Sequence, residues 1–167
     1  MAGNVSLTAR RAIYAGQTDE AMVMLFTLTH PSLSAPVRFS SDPTVRLSAD
    51  PYTRGTRHQG EVYPFVLMAA IVPDDQDKSP PRTTLVFENV TSGMAAAIRS
   101  IQSPAEVELR CVLASSPDVI EARYTRLRAT RGTYDASKVT LDISKEPWTS
   151  EPWPAGRMTA DRFPGLH

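Results

Sequence analysis

Along this chain apolar residues come in short runs cut by prolines and polar turns, the pattern of strands rather than of long helices. Residues 20–29 hold Met22, Val23, Met24, Leu25, Phe26 and Leu28 almost without a break, which predicts a strand covered on both faces and ended by His30-Pro31. Pro36-Val37-Arg38-Phe39 and Thr44-Val45-Arg46-Leu47 each alternate apolar with polar around Ser41-Asp42-Pro43, a hairpin signal with one polar side. A loop rich in Arg54, Gly55, Arg57, His58 and Gly60 is expected after Asp50-Pro51, then β character over residues 62–72. A charged loop over residues 73–81 separates these from a further strand at Thr84-Leu85-Val86-Phe87.

Period-2 alternation also marks the second half. Val107, Leu109, Cys111 and Leu113 face one way, Glu106, Glu108 and Arg110 the other. After a turn at residues 115–118, residues 119–130 read as a strand that sets Tyr124, Arg126 and Arg128 on one face. Val139, Leu141 and Ile143 alternate in a last strand beyond a turn at residues 132–137.

Two segments carry helical spacing instead. Residues 6–15 predict a short helix, broken at Gly16. Met94, Ala97, Ile98 and Ile101 fall at i, i+3, i+4 and i+7, so a helix is expected at about 91–102, capped by Thr91 or Ser92 and stopped by Pro104. The implied fold is mostly β: an antiparallel sandwich or barrel of roughly seven to nine strands with one packed α-helix. Residues 1–145 form one domain in this reading, and residues 146–167 an extended proline-rich arm. Pro152, Pro154 and Pro164 bar regular structure there, while Trp148, Trp153, Phe163 and Leu166 supply apolar bulk that a purely solvated terminus does not need.

Composition narrows the functional classes. Lysine plus arginine equals aspartate plus glutamate, 18 against 18, so no global field attracts nucleic acid or an anionic membrane. No apolar run reaches the roughly 20 residues of a membrane span, and the first residues lack a secretory pattern, so synthesis and retention in a cytoplasm are expected. The lone Cys111 allows no internal disulfide and reads as a small core residue. His30, His58 and His167 are not spaced for zinc, and Asp74, Asp75 and Asp77 lack the glycine and distal glutamate of a calcium loop. No nucleophile elbow, phosphate loop or dinucleotide turn is present in the sequence. The expectation is therefore no catalytic residue, no cofactor and no metal. Arg123, Arg126, Arg128 and Arg131 form the one local basic cluster, expected at a polar subunit interface or on a lumen-facing sheet, with a plain solvated face as the alternative.

Several segments together resemble a family of phage tail proteins described as a domain of unknown function. They are Asn4-Val5-Ser6-Leu7 with Ala9-Arg10-Arg11-Ala12, Leu25-Phe26-Thr27-Leu28-Thr29-His30-Pro31, Leu85-Val86-Phe87-Glu88-Asn89-Val90, and Phe163-Pro164-Gly165-Leu166. Residues 81–113 also look like part of the minor tail proteins at the tip of lambda-like siphophages, without the cysteine cluster some of those carry. The resemblance implies a structural minor tail protein of a non-contractile tail, in the tail-tip or distal-tail ring between the tube end and the hub or fibre. It implies a hexameric or trimeric homo-oligomer, assembled in the bacterial cytoplasm and located in the virion tail. DNA passes through the lumen of such rings without sequence-specific contact. Interface residues expected on this reading are Tyr124, Arg126, Arg128, Trp148, Trp153, Phe163 and Leu166. The alternative is a carbohydrate- or receptor-binding β-sandwich module, against which both tryptophans lie in the arm.

Overall fold

The structure, a computed structural model, describes residues 5–70, 82–88, 96, 98–101, 103–135, 138–145 and 165. Among them the chain forms α1 (Leu7–Tyr14), β1 (Met22–Thr29), β2 (Val37–Ser40), β3 (Val45–Ala49), β4 (Tyr52–His58), β5 (Glu61–Pro64) and β6 (Leu67–Ala70). The remaining strands are β7 (Arg82–Glu88), β8 (Ala105–Leu113), β9 (Ser116–Tyr134) and β10 (Lys138–Lys145). Seven strands make one antiparallel sheet in the order β2-β1-β8-β9-β10-β7-β6, and β3, β4 and β5 make a second, smaller one.

The large sheet is curled into a half-barrel. Phe39 on β2 and Phe87 on β7 stand at the first and sixth places of the strand order, about 24 Å apart in a flat sheet. Their rings lie 5.2 Å apart, and Phe26 of β1 packs on both, at 5.6 Å and 5.2 Å. The sheet's two edges are joined at one end, where Val66 N–H donates to the Ser40 carbonyl at 3.0 Å beside a parallel bridge from Ser40 to Phe65. Inside sit Leu85, Val107, Leu109, Leu127, Val139, Leu141 and Ile143, all buried. Each such side chain contributes about 1.5–3 kcal/mol on leaving water.

The back of the sheet is partly covered by the small one. Val23, Leu25 and Val112 pack with Tyr63 of β5, whose hydroxyl meets Thr27 Oγ1 at 3.2 Å. β1 is thus apolar on both faces, as its uninterrupted run implies. The close approach of β4 to β5 requires Gly55: a Cβ there, at φ +155°, would stand 2.0 Å from the Tyr63 carbonyl oxygen.

α1 begins where expected because Ser6 caps it, its Oγ accepting from Ala9 N–H at 3.1 Å. The cap is itself anchored: Ser6 N–H and Oγ–H donate to the two carboxylate oxygens of Glu121 at 2.7 Å and 2.6 Å. These bonds compensate for burying that carboxylate, which is 4% exposed. Of the second expected helix, Ala96, Ile98 and Arg99 are described and helical, with Ser100 N–H donating to the Ala96 carbonyl at 3.0 Å. Ile98 is buried in the core and Arg99 exposed, as the apolar stripe requires. Met94, Ala97 and the charged loop of residues 73–81 lie outside the described residues.

Three expectations are corrected. β2 and β3 do not form a hairpin: β2 pairs with β1 in the large sheet and β3 with β4 in the small one. The arginine-rich segment after Pro51 is not a loop but strand β4, whose inward positions are filled by Thr56 and His58 rather than by apolar residues. The last turn is shorter than residues 132–137, since β9 continues through Tyr134.

Candidate functional site

The residues expected at an interface lie on β9, and the register of that strand decides where each points. Val107 and Leu109 of β8 face Leu127 and Tyr124, so one more residue intervenes on β9 than on β8. The extra residue is taken up at Arg126, which sits at φ 60° in the left-handed region. A bulge reverses the alternation, so the single face predicted for Tyr124, Arg126 and Arg128 does not exist. Tyr124 joins the core row opposite Leu109, half-buried, and burial pushes its phenol pKa up. Arg128 stands exposed on the outward row opposite Glu106, with Arg126 exposed at the bulge between.

That outward row belongs to a polar ridge across β1, β8, β9 and β10. Thr29, Glu106, Arg128 and Ser144 lie in register side by side, and Leu25, Arg110 and Arg123 form a parallel row. Between them Glu108 takes a two-pronged contact from Arg110, Nε at 2.8 Å and Nη2 at 3.0 Å, and a further one from Arg123 Nε at 2.5 Å. Burial alone would raise the Glu108 pKa, but the bonds from Arg110 and Arg123 outweigh it and hold the carboxyl below its ordinary value. The same pairing raises the Arg110 pKa further. The ridge is therefore a rigid, charge-paired surface rather than a uniformly basic one.

At one end it opens into a cleft lined by Thr29, His30, Pro31, Pro104, Glu106 and Arg128. His30 ties two loops together there. Its Nδ1 accepts from Ser32 N–H at 3.1 Å and meets Ser32 Oγ at 2.6 Å, and its Nε2 meets Ser103 Oγ at 2.6 Å. In a serine hydrolase triad the imidazole is oriented by a carboxylate. Here the far nitrogen meets the Ser32 hydroxyl, and the ring bridges the loop after β1 and the loop before β8.

Cys111 is buried with Sγ 2.8 Å from Met24 Sδ, and burial raises its pKa, which favours the unreactive thiol. Among the described residues no three His, Cys, Asp or Glu side chains gather as metal ligands do. Trp148, Trp153, Phe163 and Leu166 lie outside the described residues. Sequence reading missed Glu121, the anchor of α1, and the buried His58, whose Nδ1–H donates to the Pro117 carbonyl at 2.6 Å. The one available signal is a polar residue standing where the strand pattern calls for an inward side chain.

A model of the family described as "Domain of unknown function (DUF1833)" matches residues 8–158. No curated protein matches the chain.

Proposed function

Since the chain belongs to the DUF1833 family, whose description states no activity, we propose from its own residues that it is a structural subunit of a non-contractile phage tail. In this reading it is a minor tail protein that forms part of the tip or distal-tail ring between the tube end and the hub or fibre. The observation that carries the reading is the open half-barrel, whose two edge strands are stitched, among the described residues, only at Ser40, Phe65 and Val66. Antiparallel edges must be covered or paired, and a ring of identical subunits meets that need by joining the edge of one to the face of the next. The charge-paired ridge of Glu106, Glu108, Arg110, Arg123 and Arg128 offers a preformed polar surface for such contacts, and polar contacts fix register more than they add affinity. The sequence likeness to phage tail proteins supplies the setting, the virion tail.

Native mass spectrometry and negative-stain microscopy of the purified full chain test this. Rings of three or six copies are the expected result. A monomer at all concentrations that is retained on a glycan array would overturn it in favour of a carbohydrate- or receptor-binding module.

A further inference from the structure

On the small sheet, Arg46, Arg54 and Arg57 are all exposed, and none is ion-paired among the described residues. Arg38, Arg110 and Arg123 by contrast each have a carboxylate partner. Between two of the unpaired cations stands Tyr52, 60% exposed, with the guanidinium carbons of Arg46 and Arg54 at 5.5 Å and 5.7 Å from its ring centre. Arg54 is further fixed by bonds from Nε to the Tyr52 hydroxyl at 2.6 Å and from Nη1 to the Pro43 carbonyl at 3.0 Å. Val45 and Val62, 46% and 44% exposed, lie on the same small sheet. Arginine and tyrosine held in place beforehand, with apolar surface near, are the make-up of protein–protein hot spots, because little side-chain freedom remains to be lost. Three cations on a chain of zero net charge are too few for a phosphate-backbone surface. A protein partner with an acidic segment fits better.

The chain itself contains such a segment. Its neutrality means that positive charge gathered here is balanced elsewhere, and the densest acidic run in the sequence is Asp74-Asp75-Gln76-Asp77. That run follows β6 in the sequence. We propose that the face made by Arg46, Tyr52, Arg54 and Arg57 docks the acidic run of a second copy, joining subunits head to tail. A contact between two different surfaces of identical chains is heterologous, and closes into a ring when the rotation allows. The inference deepens the reading of a self-assembling subunit and rests on it.

Reciprocal charge exchange tests it. One full-length variant carries Arg46→Glu, Arg54→Glu and Arg57→Glu, the other Asp74→Lys, Asp75→Lys and Asp77→Lys. Each alone is expected to associate at least about tenfold more weakly than the wild type by analytical ultracentrifugation, and raised salt to weaken the wild type likewise. An equimolar mixture regains association, since each variant is complementary only to the other: a ring of six alternates them throughout, and a ring of three stops at the paired species. Milder Arg→Gln and Asp→Asn sets, checked for fold by circular dichroism, decide the matter if the reversals unfold. Variants that assemble like the wild type, or a mixture that does not recover, overturn this inference alone. A wild-type chain that stays monomeric overturns the subunit reading with it.

Discussion

Glu108 shows how much a single carboxylate can depend on chain far away in sequence. The alternation of β8 places it outward with Arg110, and a plain solvated face is the natural expectation. In the structure both side chains are only about one-fifth exposed, 22% and 19%. The pairing with Arg110 was legible from the i, i+2 spacing, but the partial cover and the Arg123 contact come from other elements and were not. The consequence is a pH effect of definite sign. Its folded pKa lies below the ordinary 4.5, so the unfolded chain takes up the proton first. Stability from this group is present above about pH 4.5 and is lost as pH falls through the lower folded value. Solvent screening on this half-exposed ridge limits the effect to about 1 kcal/mol. Circular dichroism melts from neutral to acid pH are expected to show a steeper acid fall for the wild type than for Glu108→Gln. Superimposable acid limbs would mean that the carboxylate is not held as described.

Among the elements, those legible in the sequence satisfy their pattern locally. β1, β7, β8 and β10 hold apolar residues at the positions that the half-barrel buries, so run length and period 2 suffice to find them. β2 and β3 were found as strands but given to each other, because alternation tells that a strand has an inner face and not which strand it pairs with. β4 escaped notice because its inward side chains are polar: Thr56 Oγ1 meets Ser40 Oγ at 2.7 Å and His58 Nδ1–H donates to the Pro117 carbonyl. Hydrogen bonding there replaces the apolar signal. β9 was placed correctly and its faces were not, since the bulge at Arg126 reverses the side chains that follow it until a second register shift, opposite Asp142 and Ile143, reverses them again. A left-handed conformation costs an L-residue about 1–2 kcal/mol, which glycine escapes. Arg126→Gly is therefore expected to be neutral or to stabilise by up to about 1 kcal/mol, and the β-branched Arg126→Val to destabilise by about 1–2 kcal/mol. Urea unfolding midpoints compare the two. Equal losses in both variants would show that the backbone is not left-handed at this position.

The whole molecule raises the question of where the folding unit ends. Among the described residues every buried hydrophobic side chain lies between Ala9 and Ile143. The family match nevertheless runs on to residue 158, which ties the start of the proline-rich segment to the family pattern rather than to an appended tail. Prolines reduce the freedom an extended segment loses on docking, and burying Trp153 and Phe163 would contribute on the order of 3–6 kcal/mol before ordering costs. We predict that a chain ending at Lys145 keeps a cooperative circular dichroism melt but assembles poorly, because its arm serves a neighbour. The competing outcome has a place in the structure. A cavity of about 160 Å³ is lined by Leu28, Ile98, Ile101 and Leu141 together with Arg131, and an arm packing into its own domain would find apolar walls there. An unfolded product would assign the arm to that role within its own chain. A folded product that still assembles in full would leave the arm without a part in either.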